Sequence, residues 1–396
     1  MPHKKLKIVI VGGGPSGMLA AIELSKFHEV HLYEKGKTLG RKFLVAGKGG
    51  FNLTNKATDK ELTDHYHANS HLKIALENFD TGATRDWLST LGVPSYIGSS
   101  GRVFPEKGIK PITVLKALKN SMLANGVQVY EAHECVAFDK DSVTLKNKTS
   151  KLNVTFDHCI FALGGASWSV TGSKGDWRAM FEKNNINTLD FKAANCGLES
   201  SDIQNKLNTH FGSPLKNITI SVGAITVKGE TVISSYGLEG NAIYPLSSTV
   251  GKLLEEQTEA MLYIDLKPFH TEEELLDKIG PNTATKNYAY LFKLNKSHIA
   301  LIKAFTDKEN YTDPRLFIKN LKNLAVPIHK LRPMEEAIST TGGIDSSELL
   351  ETLALKKIPN IYIAGEMFDW DAPTGGFLLQ GCFATAHTVV KSILEK

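Results

Sequence analysis

Cysteine is scarce. Four stand in 396 residues, Cys135, Cys159, Cys196 and Cys382, widely separated and with no C-x-x-C pair. That spacing excludes a local dithiol redox motif and a sequence-recognisable zinc site. It suits small buried residues in a reducing, cytoplasmic setting. Long apolar runs are lacking too. A membrane span needs roughly 18 consecutive apolar residues, and the densest stretch, Phe377 to Leu394, is interrupted by Gln380, His387 and Lys391. It reads as a buried helix, with His387 a core histidine, and no membrane contact is expected. Met1 to Lys7 is basic but has neither a long apolar region nor a cleavage site, so no signal peptide is expected. Charge of one sign is also wanting. The net charge is +4 and dispersed, which does not argue for nucleic acid as a partner. There is no repeat, no low-complexity segment, no catalytic triad and no metal-ligand cluster, and no side chain stands out as an acid or base. What remains is an ordinary globular composition, 42% hydrophobic and 22% charged, long enough for two or three domains.

Lys7 to Glu34 is the informative stretch. Ile8-Val9-Ile10-Val11 reads as a buried parallel strand. Gly12-Gly13-Gly14-Pro15-Ser16-Gly17 follows and fits G-x-G-x-x-G. A helix over 15–27 and a second strand over 29–33 come next, and Glu34 lies 17 residues beyond Gly17. Gly12 permits the sharp turn, Gly14 lets a diphosphate approach the backbone, and Gly17 lets the helix pack closely on the sheet. The helix N-terminus offers N–H groups to phosphate, and Glu34 can accept from a ribose diol. This is a dinucleotide site; on these residues alone NAD and FAD stay open.

The loop from Lys35 through Arg41-Lys42 to Asn55 is glycine-rich, cationic and amide-bearing, and suits a second length of an extended cofactor or an anionic substrate. Helices are expected over 72–79, 84–91 and 111–125, with 103–105 as a loop. Short strands over 127–130, 135–138, 142–146 and 152–156 read as a β-meander rather than another βαβ unit. A strand over 157–163 then ends in Gly164-Gly165. An α/β start interrupted by a meander, then a strand ending in Leu163-Gly164-Gly165, is how the FAD domain of two-dinucleotide flavoproteins is built. Strands over 217–222, 224–227, 231–234 and 242–245 follow, with a turn over 237–240 and another strand over 261–266, then helices, one opened by a capping box at Thr271–Glu274. The end of the chain carries the second signal. A strand over 358–364 ends in Gly365-Glu366, which places a carboxylate for a flavin's ribityl hydroxyls. Gly375-Gly376 opens the last helix, whose N–H groups would stabilise negative charge at flavin N1. Two halves of one long cofactor favour FAD over NAD.

With these motifs together the chain resembles the bacterial FAD-binding flavoproteins known as the aminoacetone oxidase family, or NAD(P)/FAD-dependent oxidoreductases. The resemblance runs end to end, through Val11–Gly17, Gly40–Lys42, Gly47–Asn55, Gly164-Gly165, Thr171–Asp176, Glu336–Gly343 and Ala364–Phe377. It implies an α/β Rossmann-type FAD domain made of 1–190 and 334–396. Inserted in it would be a β-barrel-like part (191–260 and 310–333) and a helical part (261–309). The family's second loop usually reads Gly-Arg-Cys-Asn-x-Thr-Asn. Here Gly50 and Phe51 replace the arginine and cysteine, so the chemistry of those side chains does not carry over, and the chain reads as a distinct subgroup.

The expected cofactor contacts follow. Gly12, Gly14, Ser16 and Gly17 serve the diphosphate and Glu34 the AMP ribose, with Pro15 and Lys35 as further expected contacts. Arg41, Lys42, Gly49, Asn52, Val136, Leu163, Gly164 and Gly165 lie along the cofactor. Glu366 serves the ribityl chain and Gly375, Gly376 and Phe377 the flavin N1 side, with Gly365, Asp369 and Thr374 as further expected contacts. The expected activity is hydride exchange between flavin N5 and a small organic substrate held between the FAD and inserted domains, with NAD(P)H left open as reductant. Rival readings are a flavin-dependent RNA-modifying enzyme, which would want a basic groove, a non-catalytic flavin-binding protein, and, least favoured, a plain NAD dehydrogenase.

Overall fold

The computed structural model describes residues 4–45, 51–66, 70–280 and 283–396. The chain forms two units, Met1–Lys192 with Ile338–Lys396, and Ala193–Ala337.

The first unit is built on a five-stranded parallel sheet. Its strand order is Ile361–Ile363, His158–Phe161, Lys7–Val11, Glu29–Glu34 and Gln128–Glu131. The central strand is apolar because both faces are covered: Ile8, Val9 and Ile10 are fully buried. The helix Pro15–Leu24 starts with proline at its first position, where the missing N–H costs nothing. The last helix, Phe377–Leu394, packs against it and against Ser70–Asn78. By length and composition that helix could cross a membrane, yet 67% of it is buried within the protein. Packing inside the core, rather than lipid, accounts for its apolarity.

The meander is shorter than expected. Glu134–Phe138, Ser142–Lys146 and Lys151–Thr155 form an antiparallel sheet, but Gln128–Glu131 joins the parallel sheet beside Glu29–Glu34. The helix Pro111–Ala124 supplies the crossover that a parallel edge strand requires. Arg102–Pro105, read as a loop, is the middle strand of a small sheet between Thr54–Asn55 and Ser95–Ile97.

The second unit carries a seven-stranded antiparallel sheet. Its edge strands, Leu324–Ile328 and Lys330–Leu331, are separated in sequence only by His329. That connection brings the two edges together, so the sheet rolls into a barrel-like form. Gly237–Glu239, expected as a turn, is a strand in it, and 242–245 is not. The capping box at Thr271 and Glu274 is present. The separate helical part expected over 261–309 is not a separate core. Ala260–Asp265 is a sheet strand, in line with the strand expected over 261–266, and Leu301, Ile302, Phe317 and Leu321 bury against sheet residues such as Ile220 and Val326 in one cluster.

Candidate functional site

The three motif glycines differ in what surrounds them. Gly12 has φ +113°, and a Cβ there would lie 2.3 Å from the Ala162 carbonyl oxygen. A Cβ on Gly17 would lie 2.0 Å from the Gly12 carbonyl oxygen, so hydrogen alone fits between helix and strand. Gly14 is the opposite case: a Cβ there meets nothing within 4 Å. Gly14 is also the N-cap of the first helix and brings no capping side chain. The first-turn N–H groups, orphaned in any helix, therefore meet no capping side chain, and the positive end of the helix dipole stands behind them.

Glu34 ends the second strand with its carboxylate fixed. Oε2 accepts from the Gly13 N–H at 2.8 Å and Oε1 from the Gly36 N–H at 2.6 Å. These bonds set an acceptor group at the head of the helix.

Around this turn lies a cleft of about 370 Å³. Gly12, Gly14, Pro15, Ser16, Glu34, Lys35, Arg41, Lys42, Val136, Leu163, Gly164, Gly365 and Glu366 all line it. Val136 sits at a register shift in its strand, between Cys135 and Ala137, which turns it outward. Lys35, Arg41, Lys42, Lys174 and Lys183 face Glu34, Glu134, Asp176 and Glu366 across the lining. Lys42 pairs with Glu366 and Glu34 is held by two backbone amides, which leaves Lys35, Arg41, Lys174 and Lys183 as cations in the lining that suit phosphate. Burial pushes the Cys135 and Cys382 thiols up to about 12. Neither is a thiolate at neutral pH, which removes thiol nucleophilicity from the cleft.

The two ends of the chain meet here. The Ser16 hydroxyl donates to the Cys382 carbonyl at 2.9 Å. Gly365 has φ +77°, and a Cβ on it would lie 2.6 Å from Ser16 Oγ. The Gly365 N–H is held by Thr385 Oγ1 at 2.9 Å and its carbonyl by the Trp370 indole at 3.0 Å. Lys42 Nζ lies 2.7 Å from Ser167 Oγ and 3.0 Å from Glu366 Oε2. The Gly164 carbonyl accepts from Trp177 at 3.0 Å.

Other expected residues stand outside the cleft lining. Gly17 is buried in the packing just described. A Cβ on Gly165 would meet Thr340 Oγ1 at 2.4 Å, so Gly165 backs onto the strand Ser339–Ile344. Asp369 accepts from the Gly342 N–H at 2.6 Å. Thr374 precedes the glycine pair Gly375 and Gly376, at φ +111° and +104°. This pair lies against the Thr54–Asn55 strand: Asn55 Nδ2 donates to the Gly375 carbonyl at 3.2 Å, and a Cβ on Gly376 would lie 2.1 Å from the Thr54 carbonyl oxygen. The Phe377 carbonyl accepts from the buried Tyr66 hydroxyl at 2.7 Å. Gln380, fully buried, accepts from Thr54 and Thr84 and donates to the Phe79 carbonyl. Asn52 is half-buried, and its Oδ1 has no partner among the described residues. Gly49, with the rest of 46–50, lies outside the described residues. Sequence reasoning missed Gly13, Cys135, Met180 and Lys183 in the cleft wall. Gly13 acts through its backbone and the others arrive from strands and helices whose register one sequence does not reveal.

A family model described as "HI0933-like protein Rossmann domain" matches residues 6–392. A 3-dehydro-bile acid delta(4,6)-reductase of Clostridium scindens is 23% identical, over 98% of this chain and 99% of its own length. A ribosomal RNA dihydrouridine synthase of Escherichia coli is 22% identical, over 99% of this chain and 98% of its own. Among solved structures, a 3-ketosteroid-delta4-(5alpha)-dehydrogenase from Rhodococcus jostii RHA1 superposes with a TM-score of 0.50 at 12% identity, covering 98% of this chain and 97% of that one. An open flavocytochrome c3 fumarate reductase gives 0.50 at 13% identity, covering 100% of this chain and 79% of that one. These two likenesses are of fold.

Proposed function

The chain belongs to the HI0933-like family of Rossmann flavoproteins and is an FAD-dependent oxidoreductase, and from that premise we propose that it exchanges a hydride with a small organic substrate. The supporting observation is a single cleft in which the Gly12–Ser16 turn and the anchored Glu34 meet Gly365-Glu366 from the far end of the chain. The residues fit an extended dinucleotide. Gly14 and the uncapped helix turn would hold the diphosphate, Glu34 the AMP ribose, and Glu366 the ribityl hydroxyls. The Gly375–Phe377 helix start would stand at the pyrimidine edge of the ring. Bound FAD supplies the redox chemistry at N5; the protein supplies binding, orientation and the exclusion of water. Its free cysteines suit the cytoplasm, where we place it.

The test is anaerobic mixing of the purified yellow protein with NADH or NADPH, followed by a conjugated enone of the steroid or bile-acid type. Bleaching of the flavin band by the nicotinamide and its return with the enone support the reading. Correctly folded protein that never takes up FAD, or flavin that no donor and acceptor turn over, overturns it.

One observation favours RNA as a second substrate class. Residues 283–322 carry eight basic side chains against three acidic, and Tyr290 on that segment is 89% exposed. Cations in the same segment as an exposed ring suit a phosphate backbone and a stacked base. Salt-dependent retardation of an rRNA fragment, abolished by reversing Lys286, Lys293 and Lys296 to glutamate, would support this reading.

A further inference from the structure

Lys42 joins four segments that are distant in sequence. It sits in the short helix Arg41–Val45. Its ammonium donates to Ser167 Oγ at 2.7 Å and to Glu366 Oε2 at 3.0 Å. Ser167 is fully buried and donates to the Ile338 carbonyl at 3.1 Å. The Lys42 and Glu366 side chains are 30% and 14% exposed, so the pair is neither a solvated surface bridge nor a dry one. Of the three ammonium donors, these two bonds leave one for the cleft. Of the two Glu366 oxygens, Oε1 is the one Lys42 leaves open.

We propose that Lys42 is the positioning residue for Glu366: it fixes one carboxylate oxygen so that the other is presented, charged and oriented, to a polyol chain lying in the cleft. The inference rests on the reading of Glu366 as the ribityl contact. A carboxylate largely withdrawn from water is stabilised as an acceptor by a compensating cation. Buried Ser167 denies the ammonium its other rotamers, so the acceptor is aimed before the ligand arrives. The recognised chemistry is a run of vicinal hydroxyls joined to a diphosphate. A nucleotide that ends at the diphosphate does not reach the pair.

The experiment titrates full-length protein freed of flavin with FAD and, separately, with ADP, which lacks the ribityl chain and ring. Glu366→Gln and Lys42→Met are each expected to weaken FAD about tenfold or more, the worth of one charge-assisted hydrogen bond, while ADP affinity stays unchanged. The double variant binds FAD no more weakly than the poorer single variant, and Lys42→Arg recovers most of the loss. A merely structural lysine would lower FAD and ADP together. Equal losses of FAD and ADP in Lys42→Met would put Lys42 on the diphosphate and overturn the proposal, as would multiplying losses in the double variant. If Glu366→Gln weakens FAD and Lys42→Met does not, the positioning role fails while the reading of Glu366 stands. If Glu366→Gln leaves FAD affinity unchanged, that reading fails first. Should Lys42→Met not fold, Ser167→Ala keeps the charge and loosens only its anchor. A smaller, FAD-specific loss is then expected, and no loss would overturn the proposal.

Discussion

Substitution of Gly14 separates holding the cofactor from holding the fold. Gly14 has φ −81° and ψ −176°, a conformation open to any residue, and a Cβ there meets nothing within 4 Å. Gly14→Ala should leave the apoprotein as stable as before, or stabilise it by about 0.4–1 kcal/mol through the unfolded chain. The same methyl projects where a diphosphate would press on the backbone. Overpacking of about 1–3 kcal/mol then lowers FAD affinity about 5- to 150-fold. Gly14→Glu adds a carboxylate beside the diphosphate, worth about 4 kcal/mol of repulsion per charge pair at ~4 Å and an effective dielectric near 20, and retention of flavin is lost. Gly17→Ala is the contrast. Its Cβ would lie 2.0 Å from the Gly12 carbonyl oxygen, so the fold itself gives way. Thermal melts of flavin-free protein read the first quantity, and fluorescence titration with FAD the second. A Gly14→Glu protein with full flavin occupancy, or a Gly14→Ala protein that melts as early as Gly17→Ala, would refute the reasoning.

Gly376→Ala should be strongly destabilising, because φ is +104° and the new Cβ would fall 2.1 Å from the Thr54 carbonyl oxygen; a melt equal to wild type would contradict this. Gln380→Leu strips partners from Thr54, Thr84 and the Phe79 carbonyl in a fully buried network. It should cost about 3 kcal/mol or more by denaturant unfolding. His298 is 8% exposed, and desolvation, helped by Lys267, pulls its imidazole from 6.5 down to about 4. The folded state keeps it neutral where the unfolded chain would take a proton. Its contribution is therefore complete above pH ~6.5 and lost as pH falls toward 4, about 3 kcal/mol at most. His298→Gln should flatten the urea midpoint against pH across that window, and an unchanged slope would count against it.

Much of the first unit was legible because local chemistry and global fold agree there. Ile8–Val11 is apolar on both faces, and a parallel sheet buries both. Pro15 and the glycine spacing dictate a turn into a helix, and Phe377–Leu394 is long and periodic enough to read without ambiguity. Legibility failed where partners decide. Gln128–Glu131 alternates like a meander strand, and only the crossover through Pro111–Ala124 makes it a parallel edge. Arg102–Pro105 is four residues long and is a strand because Thr54 and Tyr96 stand beside it. Gly237–Glu239 carries turn residues but is held by pairing on both sides. At the site, the motif residues announced themselves by type and spacing. The Lys42–Ser167–Glu366 link did not, because its members lie 125 and 324 residues apart.

The most direct test of the account is a crystal structure of the complex with FAD. One molecule is expected with its diphosphate over Gly12–Ser16, its AMP ribose on Glu34, its ribityl hydroxyls on Glu366 and its pyrimidine edge at Gly375–Phe377. Flavin with its ring remote from Gly375, or FAD bound away from the Gly12–Ser16 turn, would contradict it.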